Sequence, residues 1–473
     1  ALTGQLVGES NGSTAKSYKY LGTGAGKIDT KEYVTINGLT YTTESLYNDA
    51  DMMNHMEVYR SDVDYSIYSK TYSFDGKGRL RILMNHSASE YKIDYENYNV
   101  YYSHDKNDNM TQVRTNNGLT STYSYNDANL LTSLVHKNSS STLATYSYTY
   151  NIDGNMSRKV ENGNTTNYTY DGSNRLTKES VTRNGTTANM TYAYDRAGNR
   201  NKLTVTGSQN YVTSYTYDKN NRLLRESKVN NGSSYADLTI YTYDNNGNQI
   251  KKDQSKNNLN NKPVTGFYLE SEIGNTGYGY EKFTYNGLNQ LVKFEDEKNN
   301  TVDYTYWSDG LRLSKTVNGS KTNFMWDGDQ LMLSISSDET RSYLKAPGYM
   351  RSGTNKELIG KRNDTFYLFN AHGDVTALTD KTGTVTKIYE YDAFGNELNP
   401  SSTDTNPFRY CGEYYDSETG SIYLRARYYS PTTGRFTAED PVKDGLNWYA
   451  YCEGNPIVFV DPSGLTTKEE TEM

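Results

Sequence analysis

The sequence predicts an all-β chain folded as a long, coiling strip of antiparallel sheet. Three observations lead there. Tyr dominates the aromatic residues, with 48 against 11 Phe and 3 Trp. Gly is plentiful at 38 and Pro scarce at 8, which suits many tight turns and no Pro-rich linker. A short Tyr-x-Tyr-Asp unit also recurs along most of the chain. In its best-preserved run the second Tyr falls at 150, 170, 194, 217 and 243, a spacing of 20 to 26 residues that marks a repeat architecture.

The composition says how such a chain is held. Only 34% of its 473 residues are hydrophobic and mean hydropathy is -0.89, so a thick aliphatic core is excluded. Tyr must supply the buried area, its ring packing while its hydroxyl finds water or an acceptor. A net charge of -8 argues against nucleic acid as a partner, and the regular Tyr spacing reads as packing rather than as a single-strand binding face. No apolar run approaches the length of a membrane span. The sequence starts ALTGQLVGES, without Met or a signal peptide, and is expected to be part of a longer precursor. Cys411 and Cys452 have no metal-ligand spacing and are expected to be buried free thiols.

Taken in order, residues 1–65 form an irregular, β-rich lead-in. Within it YVTING and LTYTT read as strands, while YNDADMMNHMEVYR, Tyr47 to Arg60, is expected to contain a short helix. The run GTGAGK at Gly22–Lys27 departs from a phosphate loop, with Leu21 where Gly is needed and Ile28 where Ser or Thr would hold magnesium. It is read as a glycine-rich turn. From Tyr72 the repeat appears: YSFDGKGRL at 72, YSYNDANLL at 123, YTYNIDGNM at 148, YTYDGSNRL at 168, YAYDRAGNR at 192, YTYDKNNRL at 215 and YTYDNNGNQ at 241. Divergent copies follow at 283, 304, 324 and 389.

One unit explains itself. Tyr192 and Tyr194 are two apart, so in a strand they share a face and Ala193 takes the other. Asp195 and Gly198-Asn199 then close a turn, Asp by bonding its own backbone and Gly or Asn by tolerating positive φ. A return strand follows, as in RNKLTVTG. A single hairpin cannot bury its rings, so neighbouring units must stack and share Tyr layers, and the sheet they build must twist. The recurring Asp171, Asp195, Asp218 and Asp244 are therefore turn formers, not calcium ligands or glycosidase carboxylates. The five His are scattered, and no Ser occupies a nucleophile elbow. No cofactor and no metal is expected. After residue 340 the turns crowd, through FYLFNAHGDVTALTDKTGTVTKIYEYDAFGNEL at Phe366–Leu398. NPSSTDTNP at Asn399–Pro407 then reads as a boundary loop.

The stretch from Tyr414 to Leu465 is the densest in Tyr, Gly, Pro and Arg, and carries two Asp-Pro pairs, at Asp440 and Asp461. Eleven Tyr-Asp units followed by YYDSETGSIYLRARYYSPTTGRFTAEDP, GLNWYAYCEGNP and DPSGL resemble the rearrangement-hotspot (RHS), or YD-repeat, proteins. Over four fifths of the chain takes part in the likeness. FNAHGDVTALTDKTG is similar to the wall-associated RHS proteins of Gram-positive bacteria. Ser421-Ile422 departs from the usual Gly-Leu, a packing adjustment.

The resemblance implies part of a hollow β-shell over residues 66–407, an inward-curling C-terminal plug over 408–465, and the start of a C-terminal segment over 466–473. It also implies a secreted or cell-surface bacterial protein whose shell, completed by upstream residues, encloses its own C-terminal toxin domain. In many such proteins the plug is an intramolecular aspartyl protease. Carried onto this chain, Asp440 and Asp461 are the carboxylate pair, Arg435 their charged neighbour, and Leu465–Thr466 the bond cut. Two carboxylates held together share a proton, so one can act as base on water while the other serves as acid. A tethered substrate needs no binding pocket. On the residues alone, Asp-Pro simply makes turns. Two other readings stand beside this one: a surface adhesin binding a glycan or a cell-surface receptor, and a scaffold without proteolysis.

Overall fold

The computed structural model describes residues 8–469 except 12–13, 24–26, 49, 51, 64–65, 86–97, 259–276 and 356–362. Among these, 32 strands form a single sheet, running from Gly8–Asn11 to Val385–Ile388. Each strand pairs antiparallel with the next in sequence, as Asn164–Tyr170 does with Leu176–Arg183 and Thr186–Tyr194 with Arg200–Thr206. The strands at Lys27–Ile36, Leu39–Tyr47 and Met53–Arg60 belong to the same sheet.

The stretch expected to hold a short helix is therefore a strand at Met53–Arg60. Met56 and Val58 are buried on one face, and strands on both sides supply its hydrogen bonds. Period-two packing overrides the helix propensity of the Met-rich run. The glycine-rich run at Gly22–Lys27 lies between two paired strands, with Thr23 opposite Lys27. Its residues 24–26 fall outside the described set, as does His86.

The unit works through two devices. The register shifts by one residue just before the second aromatic, between Thr149 and Tyr150, Thr169 and Tyr170, Ala193 and Tyr194, and Thr216 and Tyr217. A bulge at the same place in successive units adds right-handed twist each time, which coils the strip. The hydroxyl of the second Tyr then donates to a carbonyl of the preceding unit: Tyr170 to Met156 at 2.7 Å, Tyr194 to Leu176 at 2.8 Å and Tyr217 to Arg200 at 2.7 Å. The first Tyr of each pair, Tyr168, Tyr192 and Tyr215, is buried. Asp195 closes its turn by accepting from the backbone N–H of Ala197 and Asn199, both at 2.9 Å, with Gly198 at φ 80°. Asp171, Asp218 and Asp244 do the same in their own turns.

The coil brings distant strands together. Tyr98 meets Phe366 edge-on with ring centroids 5.0 Å apart, Lys70 pairs with Asp327, and Arg351 donates to Asn85 at 2.7 Å. After Ile388 the regular sheet stops. A four-stranded sheet follows, Tyr414–Asp416, Ser421–Leu424, Arg427–Ser430 and Arg435–Phe436, then a two-stranded one, Phe459–Val460 with Lys468–Glu469. This C-terminal block is the plug. Tyr429 and Tyr451 stack at its centre, 3.9 Å between centroids. Cys411 and Cys452 are buried free thiols.

Candidate proteolytic site in the plug

The site is built on a two-residue hairpin. Leu424 pairs with Arg427, so Arg425 and Ala426 make the turn, Arg425 at φ 59°, as two-residue hairpins demand. That turn throws Arg427 inward, where its guanidinium carbon lies 3.6 Å from the centre of the Phe436 ring. Asp440 opens a turn of its own. Its Oδ1 accepts from Val442 N–H at 2.8 Å, and Lys443 N–H closes back on its carbonyl at 3.1 Å. Pro441 has the fixed φ that the second position of such a turn favours. Asp461 follows Phe459–Val460, and its Oδ1 accepts from the Ser463 hydroxyl and the Leu465 N–H, both at 3.1 Å, and from Thr466 N–H at 3.2 Å.

These three side chains meet, all of them buried. Nη2 of Arg427 is 3.5 Å from Oδ2 of Asp440 and 3.7 Å from Oδ2 of Asp461. The same guanidinium donates to the carbonyls of Trp448, at 2.9 Å, and Gly464. The Trp448 carbonyl also receives Asp440 N–H at 3.1 Å, which locks the two arms of the site together. Burial disfavours the Arg427 charge and lowers its pKa, while Asp440 and Asp461 oppose the shift. A guanidinium remains protonated under these conditions.

Gly464 makes the close approach feasible. It sits at φ +69°, and a Cβ there would lie 2.5 Å from the Leu424 carbonyl oxygen and 2.9 Å from Arg427 N. The segment from Asp461 to Leu465 is thereby pressed onto the hairpin turn. Ala426 N–H donates to the Ser463 carbonyl at 3.2 Å and Arg425 to that of Pro462 at 2.7 Å.

Asp440 and Asp461 both face Arg427, and the Leu465 and Thr466 N–H groups donate to Asp461. Arg435 does not join them. Its Nη1 donates to Asn199 Oδ1 at 2.8 Å and its Nη2 to the Asn221 carbonyl at 2.6 Å, with the Tyr217 ring 4.8 Å away. Arg435 fastens the plug to the turns of the wall, and the charged neighbour of the carboxylates is Arg427. Sequence distance hid this, since Arg435 is nearer Asp440 along the chain. The hairpin over 421–430 carries Arg427 back to the site. Its signal was the L-R-A-R turn at 424–427, which must point one Arg inward if the other takes the positive-φ position.

Residues 186–457 match the family model of the teneurin YD-shell, and residues 104–142 that of the RHS repeat. The chain belongs to the YD-shell family. Among curated proteins this YD-shell chain is 31% identical over 401 residues to the tRNA3(Ser)-specific nuclease WapA of Bacillus spizizenii, covering 81% of the chain and 15% of that protein. It is 39% identical over 197 residues to the tRNA nuclease WapA of Bacillus subtilis, 39% of the chain and 8% of that protein. It is also 26% identical over 227 residues to the toxin protein Tse5 of Pseudomonas aeruginosa, 39% of the chain and 17% of that protein. The YD-shell chain therefore spans a small part of the relatives it matches. Its fold is that of the crystal structure of TcdB2-TccC3 without hypervariable C-terminal region, with a TM-score of 0.52 at 16% identity over 98% of this chain and 27% of that one.

Proposed function

We propose that this chain is wall and plug of a secreted or surface-delivered toxin shell, and that the plug cuts its own chain once, between Leu465 and Thr466, to free the segment downstream of that bond. Asp440 and Asp461 are the reacting carboxylates and Arg427 holds them. The observation that carries the proteolytic reading is the double engagement of Asp461. One of its oxygens is 3.2 Å from the amide nitrogen of Thr466, the leaving group of that bond, and the other faces the guanidinium that also faces Asp440.

The chemistry rests on that placement. One carboxylate of the pair removes a proton from water as the oxygen attacks the Leu465 carbonyl carbon. Arg427 balances the negative charge that two neighbouring carboxylates and the tetrahedral oxyanion would accumulate. Asp461 takes that proton and is placed to pass it to the Thr466 nitrogen as the C–N bond breaks, while Asp440 takes the second water proton as the tetrahedral carbon collapses to the carboxylate. The products are a Leu465 carboxylate and a Thr466 amine, and the two protons of water are accounted for. Substrate and site are on one chain, so positioning comes from folding itself. The toxin-delivery part is supported by relatives bearing the names of nucleases and of a toxin.

The test is a chain extended beyond Met473 by its natural downstream sequence, folded and weighed by mass spectrometry over time. Two fragments with a boundary at Leu465–Thr466 are expected, and Asp440→Asn and Asp461→Asn should each leave the chain whole. An extended chain that stays intact while correctly folded would overturn the reading. Cutting that persists in either variant would remove that carboxylate from the mechanism.

A further inference from the structure

Where the wall turn at 370–374 meets the plug, three side chains from separated parts of the chain converge. His372 and Asp374 come from the wall, Cys411 from the plug, and all three are buried. Their donor atoms lie within 4.8 Å of one another. His372 Nδ1 is 2.9 Å from Asp374 Oδ1 and 3.8 Å from Cys411 Sγ. Both contacts fall on the same ring nitrogen, which has one proton or one lone pair and can satisfy only one neighbour. A nucleophile–base–orienter triad would use opposite nitrogens, so this is not a second catalytic triad.

We propose that His372, Asp374 and Cys411 form a zinc site that joins the plug to the wall. Imidazole, carboxylate and thiolate are the donor types that zinc takes, at about 2.0–2.3 Å each, so tetrahedral ligands stand roughly 3.3–3.8 Å apart. The observed separations bracket that range, and closing on an ion requires shifts of well under a residue's length. The charges match as well: a thiolate and a carboxylate neutralise a divalent cation, the condition for burying it. Binding releases the Cys411 thiol proton and the proton held between His372 and Asp374, and forms Zn–S, Zn–N and Zn–O bonds.

Two features of the adjoining cavity point the same way. A cavity of about 40 Å³ lies against His372 and Asp374, room for a water as fourth ligand. The hydroxyl of Tyr168, a buried residue lining that cavity, has no hydrogen-bond partner among the described residues. The supporting groups are also placed. Asn370 donates to the second oxygen of Asp374 at 2.9 Å, and His372 Nε2 is 3.5 Å from the Phe459 carbonyl, which leaves Nδ1 for the metal. Lys159 in the same cavity is paired with Glu161 at 3.1 Å. Cys411 is held at φ 54°, a strained conformation for a side-chain-bearing residue and one that aims its sulfur at the cluster.

The test uses the folded chain. Zinc is counted by elemental analysis after exhaustive dialysis, and a metal-free sample is titrated with cobalt(II) while the thiolate-to-cobalt charge-transfer band is followed. We expect one zinc per chain, a cobalt band that saturates at one equivalent, and at least a tenfold loss of affinity in Cys411→Ser and in His372→Ala. No zinc and no cobalt band in the unsubstituted chain overturns the proposal, whatever the variants do. Zinc retained at unchanged affinity in Cys411→Ser overturns it too, since the ion is then held elsewhere. The measurement does not depend on self-cleavage, so the two readings can fail separately.

Discussion

Nη1 of Arg312 donates to Oδ2 of Asp416 at 2.5 Å, and neither side chain has any exposed surface. Arg312 belongs to the wall strand Arg312–Val317 and Asp416 to the first strand of the plug. Lys315 Nζ reaches the other carboxylate oxygen at 2.8 Å. Burial pushes the Asp416 carboxyl up, but Arg312 and Lys315 outweigh it and hold it below the usual carboxylate range. Four aromatic rings, of Tyr304, Phe324, Tyr414 and Tyr423, surround the guanidinium.

Removing one partner of such a pair leaves the other charge buried and unpaired. Asp416→Ala is therefore expected to cost about 3–5 kcal/mol, visible as a lower urea midpoint and as earlier proteolytic loss of the plug from the strip. An unchanged midpoint would show that the buried Arg312–Asp416 pair does not help to seat the plug.

Two of the buried arginines of the plug, Arg427 and Arg435, should separate cleanly. Arg427→Lys loses the planar fork that faces two carboxylates and two carbonyls, and self-cleavage of the extended chain is expected to slow at least tenfold. Arg435→Lys loses the link to Asn199 and Asn221, so it lowers thermal stability but leaves the cleavage rate of the folded chain within a factor of about two. Time courses analysed by mass decide it, and equal slowing in both variants would count against Arg427 as the residue holding the carboxylates.

Gly464→Ala tests the close approach of the Asp461–Leu465 segment to the hairpin turn. The positive φ alone costs on the order of 1–2 kcal/mol for a residue with a Cβ, and the Leu424 carbonyl blocks the new methyl. Only this short segment needs to lift away, so the expectation is a nearly unchanged melting temperature with strongly reduced cleavage. Cleavage at the original rate would mean that the segment need not lie on the turn.

Glu179 provides a pH signature. Burial, reinforced by Asp392, pushes its carboxyl from 4.5 up to about 7, and it accepts Ala393 N–H at 3.0 Å. The folded chain binds this proton more tightly than the unfolded chain, so the stabilisation is complete below about pH 4.5 and disappears as pH rises through about 7. Glu179→Gln keeps the acceptor without the charge. It should be more stable than the parent at pH 8, by on the order of 3 kcal/mol at most, with the difference closing toward pH 5. Parallel urea-denaturation profiles across that range would exclude the assignment.

What was legible in the sequence was local. The Tyr pair, the Asp that closes its own turn and the Gly or Asn at positive φ all act within ten residues, so the strip of hairpins could be read from Tyr192 to Asn199 alone. The bulge before each second Tyr was not legible, because it depends on where the partner strand's residues fall. Met53–Arg60 misled for a related reason: its Met-rich composition favours a helix, and only the strands on either side reveal Met56 and Val58 as inward positions. In the plug, Asp440 and Asp461 were singled out as candidates through their motifs. Arg427, and the meeting of His372 with Cys411, depend on how the plug packs back on itself and on the wall.

The pairing of Phe459–Val460 with Lys468–Glu469 spans the bond between Leu465 and Thr466. Residues on both sides of that bond are stitched to each other by main-chain hydrogen bonds before any chemistry occurs. Hydrolysis there would behave like a perforation: the polymer is severed, yet the two new termini stay side by side until the short ladder is pulled apart. Breaking the covalent link and letting the downstream portion go are then two events with separate barriers, and the second can answer to force, unfolding or a change of surroundings that leaves the first untouched.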